Sequence, residues 1–68
     1  MNDVFRQRLQ NLREQKRISR IVLSELCGLP PDAIRRYERG EAEPSMGSLM
    51  LIADFFEVST DYLLGRSE

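Results

Sequence analysis

The feature that most constrains this chain is the break Gly28-Leu29-Pro30, which divides residues 18–40 into two short helical segments. The segment before it starts after Ser19, a cap residue, and runs to about Cys27 with Val22, Leu23 and Leu26 as its apolar face. Gly28 follows at once, as a left-handed C-terminal residue would. The segment after it is expected to begin at Pro31, since proline is well tolerated at a first helical position. It ends near Arg39 with Gly40 as its stop, and Ala33, Ile34 and Tyr37 are its buried candidates. A turn this short, with a glycine in it, holds two helices at a steep angle. Leu23, Ile34 and Tyr37 are placed to pack across that angle, and the second helix then projects its N-terminal end outward.

Three further helical segments surround this pair. The first runs from about Asp3, as cap, to Lys16, with Phe5, Leu9 and Leu12 at i, i+4 and i+7. After the linker Glu41-Ala42-Glu43-Pro44, Ser45 caps a helix over 46–56 with Met46, Leu49, Ile52, Ala53 and Phe56 inward. Ser59 caps a last short helix from Thr60 to Leu64, which Gly65 ends. No stretch alternates as a strand does, so an all-α bundle of five helices is expected.

At 68 residues the chain makes one domain, 1–68, with a modest core and no room for a separate ligand-sensing domain. No small-molecule ligand or cofactor is expected. The chain has no histidine, so no serine has an imidazole base and an enzyme is not expected. Its one cysteine, Cys27, has no partner for a disulfide and no metal set to join, which points to a small core residue and a cytoplasmic protein. No apolar run approaches the roughly 18 residues that span a bilayer, and Met1 to Arg8 are too polar for a signal peptide. Asp54, Glu57 and Asp61 follow no metal-loop spacing and read as an acidic outer face.

The net charge is −1, but it is unevenly spread. Residues 1–39 carry nine basic and five acidic side chains; residues 40–68 carry one basic and six acidic. The first part is therefore +4 and the second −5, which gives a nearly neutral chain one positive face. Arg35, Arg36 and Arg39 supply it on the second helix of the pair, whereas Arg6, Arg8, Lys16 and Arg17 read as solvated charges.

The ordered pattern Leu12-Arg13, Ile18-Ser19, Leu23-Ser24, Gly28-Leu29, Ile34, Tyr37-Glu38-Arg39-Gly40 continues through Pro44-Ser45, Leu49 and Ile52-Ala53 to Val58-Ser59 and Asp61-Tyr62-Leu63-Leu64-Gly65. It resembles the Cro and phage-repressor type of helix-turn-helix transcription regulators, the XRE family, over nearly the whole chain. The resemblance implies a five-helix, lambda-repressor-like fold with the helix-turn-helix at about 20–39 and a recognition helix at about 31–39. It implies double-stranded DNA as partner, regulation of transcription by repression as function, and a homodimer formed around the last two helices. Phe55, Tyr62, Leu63 and Leu64 are the candidates for that contact. Arg13 and Glu38 match a largely buried structural salt bridge of the family. Arg20 matches a phosphate-touching position, and Pro31, Asp32 and Arg36 match positions that reach base edges. Arg35 and Arg39 lie where they meet phosphates or bases.

The sequence departs from the family at Pro30, where serine or threonine is common, and at Glu41 and Glu43, where basic residues are common. Asp32 faces phosphates badly and suits only an amino donor such as that of cytosine. An alternative reading is a protein-interaction module, an antitoxin-like or co-regulator partner with weak or lost DNA binding.

Overall fold

A computed structural model of the chain describes residues 2–66. Met1 and Glu68, which enter the signal-peptide reading and the charge count, lie outside the described residues. The described residues form five helices: α1 (Asp3–Gln15), α2 (Arg20–Leu26), α3 (Ala33–Arg39), α4 (Met46–Phe56) and α5 (Thr60–Leu63). The all-helical architecture and the order of the five elements are those expected from the sequence.

The helix starts follow from side chains that accept the first free backbone N–H groups. Ser19, Ser45 and Ser59 do this for α2, α4 and α5 by accepting from Val22, Ser48 and Tyr62. Asn2, and not Asp3, caps α1: its Oδ1 accepts from Phe5 N–H at 2.8 Å, while Asp3 is the first helical residue and favourably meets the helix dipole there. Three stops are glycines in the left-handed region, Gly28 at φ 73°, Gly40 at φ 74° and Gly65 at φ 76°. Arg17 at φ 57° follows α1 and Glu57 at φ 56° closes α4, both without glycine.

The core gathers one stripe from each helix. Phe5, Leu9, Leu23, Ile34, Ile52 and Leu63 are fully buried, joined by Cys27, Leu49, Ala53 and Phe56. Fully burying each large side chain contributes about 1.5–3 kcal/mol. Four residues assigned inward from apolar spacing turn out differently. Val22 and Leu26 are 41% and 57% exposed, because α2 turns Leu23, Ser24 and Cys27 inward, one position further round. Met46 is 68% exposed at the first position of α4, ahead of the inward turn that starts at Leu49. Tyr37 is only half-buried and packs against the edge of the core.

No helix among the described residues is long and apolar enough to cross a membrane.

Candidate nucleic-acid interface

The α2–α3 pair is held by a buried hydroxyl. Ser24 on α2 is fully buried, donates to Arg20 O at 2.9 Å, and accepts from the backbone N–H of Ile34 at 3.2 Å. That second bond matters because α3 has no side-chain cap of its own. Asp32 occupies the N-cap position at φ −97°, ψ 3° and makes no capping hydrogen bond. The helix therefore starts at Ala33 rather than Pro31, and Pro31 and Asp32 belong to the preceding turn. Ala33 N–H closes that turn on Pro30 O at 3.0 Å, a turn geometry that uses the carbonyl of the first proline. The expected recognition helix of about 31–39 is thus shortened by one half-turn.

Behind this pair lies an ion cluster centred on Glu38, whose side chain is 2% exposed. Arg13 Nε donates to Glu38 Oε2 at 2.7 Å and Arg13 Nη2 to Oε1 at 3.2 Å, a bidentate pair between α1 and α3. Arg13 Nη1 also donates to Ile18 O at 2.9 Å, which fixes the loop before α2. The Glu38 hydrogen bond holds the Arg13 pKa above its ordinary value; burial pulls the other way and the nearby charges of Glu38 and Glu14 add to the rise. Arg20 joins the same carboxylate, Nε to Oε1 at 3.0 Å, while its side chain stays 44% exposed. One carboxylate therefore binds three helices together.

The outer surface is a cleft of about 580 Å³ between the start of α2 and the turn before α3. Arg13, Ser19, Arg20 and Ile21 line it with Pro31, Asp32 and Arg35. Four of the six residues singled out from the sequence as DNA contacts, Arg20, Pro31, Asp32 and Arg35, thus meet in one concavity. Arg36 and Arg39 are exposed on α3 but outside the cleft lining. Arg39 Nε lies 2.9 Å from Glu41 Oε2, and Arg35 Nη1 lies 4.0 Å from Glu41 Oε1. Arg36 has no ion-pair partner among the described residues.

The cations of α1 are not merely solvated. Arg6 Nε donates to Glu38 O at 3.2 Å, and Arg6 Nη1 pairs with Asp3. Arg8 donates to Tyr62 O and stands over the Tyr62 ring, 4.3 Å from its centroid. Lys16 Nζ lies 5.7 Å from the centre of the Phe55 ring, which meets Phe56 edge-on at 5.0 Å. Phe55 and Tyr62 thus have partners within the chain. Leu63 is fully buried and is corrected from a contact residue to a core residue: its stripe on α5 faces inward. Apolar counting finds Leu63 but not its direction, because a four-residue helix is too short to show a period. No group of three or more metal-ligating side chains is assembled among the described residues.

A short turn holding two helices, the second bearing exposed arginines, defines a helix-turn-helix domain. The chain belongs to the helix-turn-helix family HTH_3, whose pattern it matches over residues 9–63. That family is one of helix-turn-helix domains and not a class of enzymes. Its relatives include the HTH-type transcriptional regulator AnsR of Bacillus subtilis, 36% identical over 90% of this chain and 53% of AnsR. The cryptic phage CTXphi transcriptional repressor RstR of Vibrio cholerae is 34% identical over 91% of this chain and 55% of RstR. The chain spans about half the length of these curated relatives. Among solved structures, the P22 c2 repressor protein in complex with synthetic operator 9T superposes with a TM-score of 0.84 at 28% identity, covering 93% of this chain and 96% of that one.

Proposed function

We propose that this chain is a sequence-specific double-stranded DNA-binding domain of a cytoplasmic transcriptional regulator, a repressor like its phage relatives, with α3 seated in the major groove. The observation that carries the reading is the exposed, basic α3 held against α2 in a fold shared with a repressor solved on a synthetic operator. Arg36, exposed and in no ion pair among the described residues, is the base reader, suited to the O6 and N7 acceptors of guanine. Arg20, Arg35 and Arg39 meet phosphates. Pro31 and Asp32, at the tip of the turn, approach the base edges, Asp32 by accepting from a cytosine amino group. Arg13 and Glu38 keep the presenting helices in place.

One such domain reads few base pairs, so two copies act together on half-sites about 34 Å apart. The longest dimension of the domain, 28 Å, fits within that spacing. Half-buried Phe55, Tyr62 and Leu64 remain the candidates for contact between copies, now without Leu63.

A salt titration on mixed-sequence duplex tests the reading. Arg20, Arg35 and Arg39 on phosphates, less the one charge that Glu41 cancels, give a slope of log K against log salt of about −2 per bound copy. Arg36→Ala should relax preference at one base position per half-site by about 1–3 kcal/mol, while Arg20→Ala weakens all sequences alike. A uniform loss on Arg36→Ala would remove it as a base reader. A flat titration with no binding at low salt would sink the DNA reading. It would leave the protein-interaction alternative, which the exposed Ile21, Val22 and Leu26 on α2 favour.

A further inference from the structure

We propose that Glu41 is a specificity-determining residue: an internal anion that occupies Arg35 and Arg39 in the place of DNA phosphates, so that Arg36 carries a larger share of recognition. The inference rests on the DNA-binding reading and concerns how that surface is tuned.

The backbone puts Glu41 where it can do this. At Gly40 the chain turns through the left-handed region, and the following N–H, that of Glu41, donates back to Arg36 O at 2.9 Å. The Glu41 side chain is thereby returned over the last turn of α3. Arg35 and Arg39 stand one helical turn apart on one face, so a single carboxylate reaches both. Its Oε2 lies 2.9 Å from Arg39 Nε and its Oε1 4.0 Å from Arg35 Nη1. Arg36, a hundred degrees round the helix from Arg35, takes no part in this bridge.

Carboxylate and phosphate oxygens compete for the same guanidinium donors. The competition is open, because Arg35, Arg39 and Glu41 are 44%, 58% and 42% exposed. Exposed pairs of this kind are weak, so a duplex can displace the carboxylate. Until it does, the three side chains present a net charge of +1 instead of +2. The effect falls on backbone affinity, which every sequence shares, and spares the base contact, which only the right sequence satisfies. Glu41 therefore lowers non-specific binding more than specific binding.

The test uses the full chain and a mixed-sequence duplex of about two helical turns, titrated by fluorescence anisotropy between about 50 and 200 mM salt. Glu41→Gln should bind roughly three- to tenfold more tightly at the lower salt and steepen the salt slope by about 0.9, one extra phosphate neutralised. Glu41→Asp keeps the charge but is too short to span both arginines, and should fall between the two. In an Arg35→Ala, Arg39→Ala background, the gain from Glu41→Gln should vanish. If the gain survives in that background, Glu41 acts as a through-space charge and the proposal is overturned. It is equally overturned if wild-type chain binds with a steep salt slope and Glu41→Gln leaves it unchanged, while the DNA-binding reading then stands. Binding by neither protein at any salt removes that reading itself and the proposal with it.

Discussion

The bond between Ser24 and Ile34 is the most economical place to test how the two helices are held. Removing the hydroxyl by Ser24→Ala leaves the shape of the site almost unchanged. It takes away the acceptor for Ile34 N–H, in a position where Ser24 is fully buried and Asp32 supplies no substitute cap. A buried donor left unsatisfied costs about 1–3 kcal/mol. The second bond, from Ser24 Oγ to Arg20 O, strands nothing when lost, because a helical carbonyl keeps its backbone donor. About 2 kcal/mol is therefore expected, a fall in Tm of about 8–16 °C for a domain of this size. Ser19→Ala is the reference: it removes the cap on Val22 N–H at an exposed site, where water takes over, and costs about 1 kcal/mol. Thermal and urea unfolding give the two values. Amide exchange locates the effect, since Ile34 N–H should lose protection in Ser24→Ala and keep it in Ser19→Ala. Equal stability losses, with Ile34 still protected in Ser24→Ala, would refute the view that the buried hydroxyl serves as the missing cap.

Two other perturbations separate structural charges from surface ones. Glu38→Gln strands the Arg13 guanidinium, which is 11% exposed, and should cost about 3–5 kcal/mol in urea unfolding. Arg20→Gln, removing a 44% exposed partner of the same carboxylate, should cost no more than about 1 kcal/mol, and equal losses would contradict the central place given to Arg13. Burial pushes the Cys27 thiol up from its ordinary value. The folded state thus favours the neutral thiol. Its contribution to stability is complete below the unfolded thiol pKa, about 8.5, and is lost as pH rises from there through the raised folded value. The stability advantage of wild type over Cys27→Ala should therefore shrink between neutral pH and about pH 10. An advantage that stays constant over this range would place the thiol in contact with water.

What the sequence made legible follows from which physical signals are local. Serine caps before α2, α4 and α5, and glycine stops at Gly28 and Gly40, act through one or two neighbouring residues, so the element order could be read directly. Arg17 and Glu57 turn the chain through the same left-handed region without glycine, and nothing local announces them. The direction of a short helix was the harder matter. Seven residues of α2 admit two apolar stripes, and scoring side chains by hydrophobicity selects Val22 and Leu26. The fold buries Ser24 instead, because its hydroxyl has a specific bond to make with α3. The same holds for charge. Arg35, Arg36 and Arg39 are equal in the sequence, and they differ only once Gly40 returns Glu41 over two of them. A basic helix read as a sum of charges would rank all three as DNA contacts. Read as a set of partners, it separates the one arginine in no ion pair among the described residues from the two that a phosphate must first release. The surface is thus defined less by how many cations it carries than by which of them are already engaged, and that is a property of the turn after α3 as much as of the helix itself.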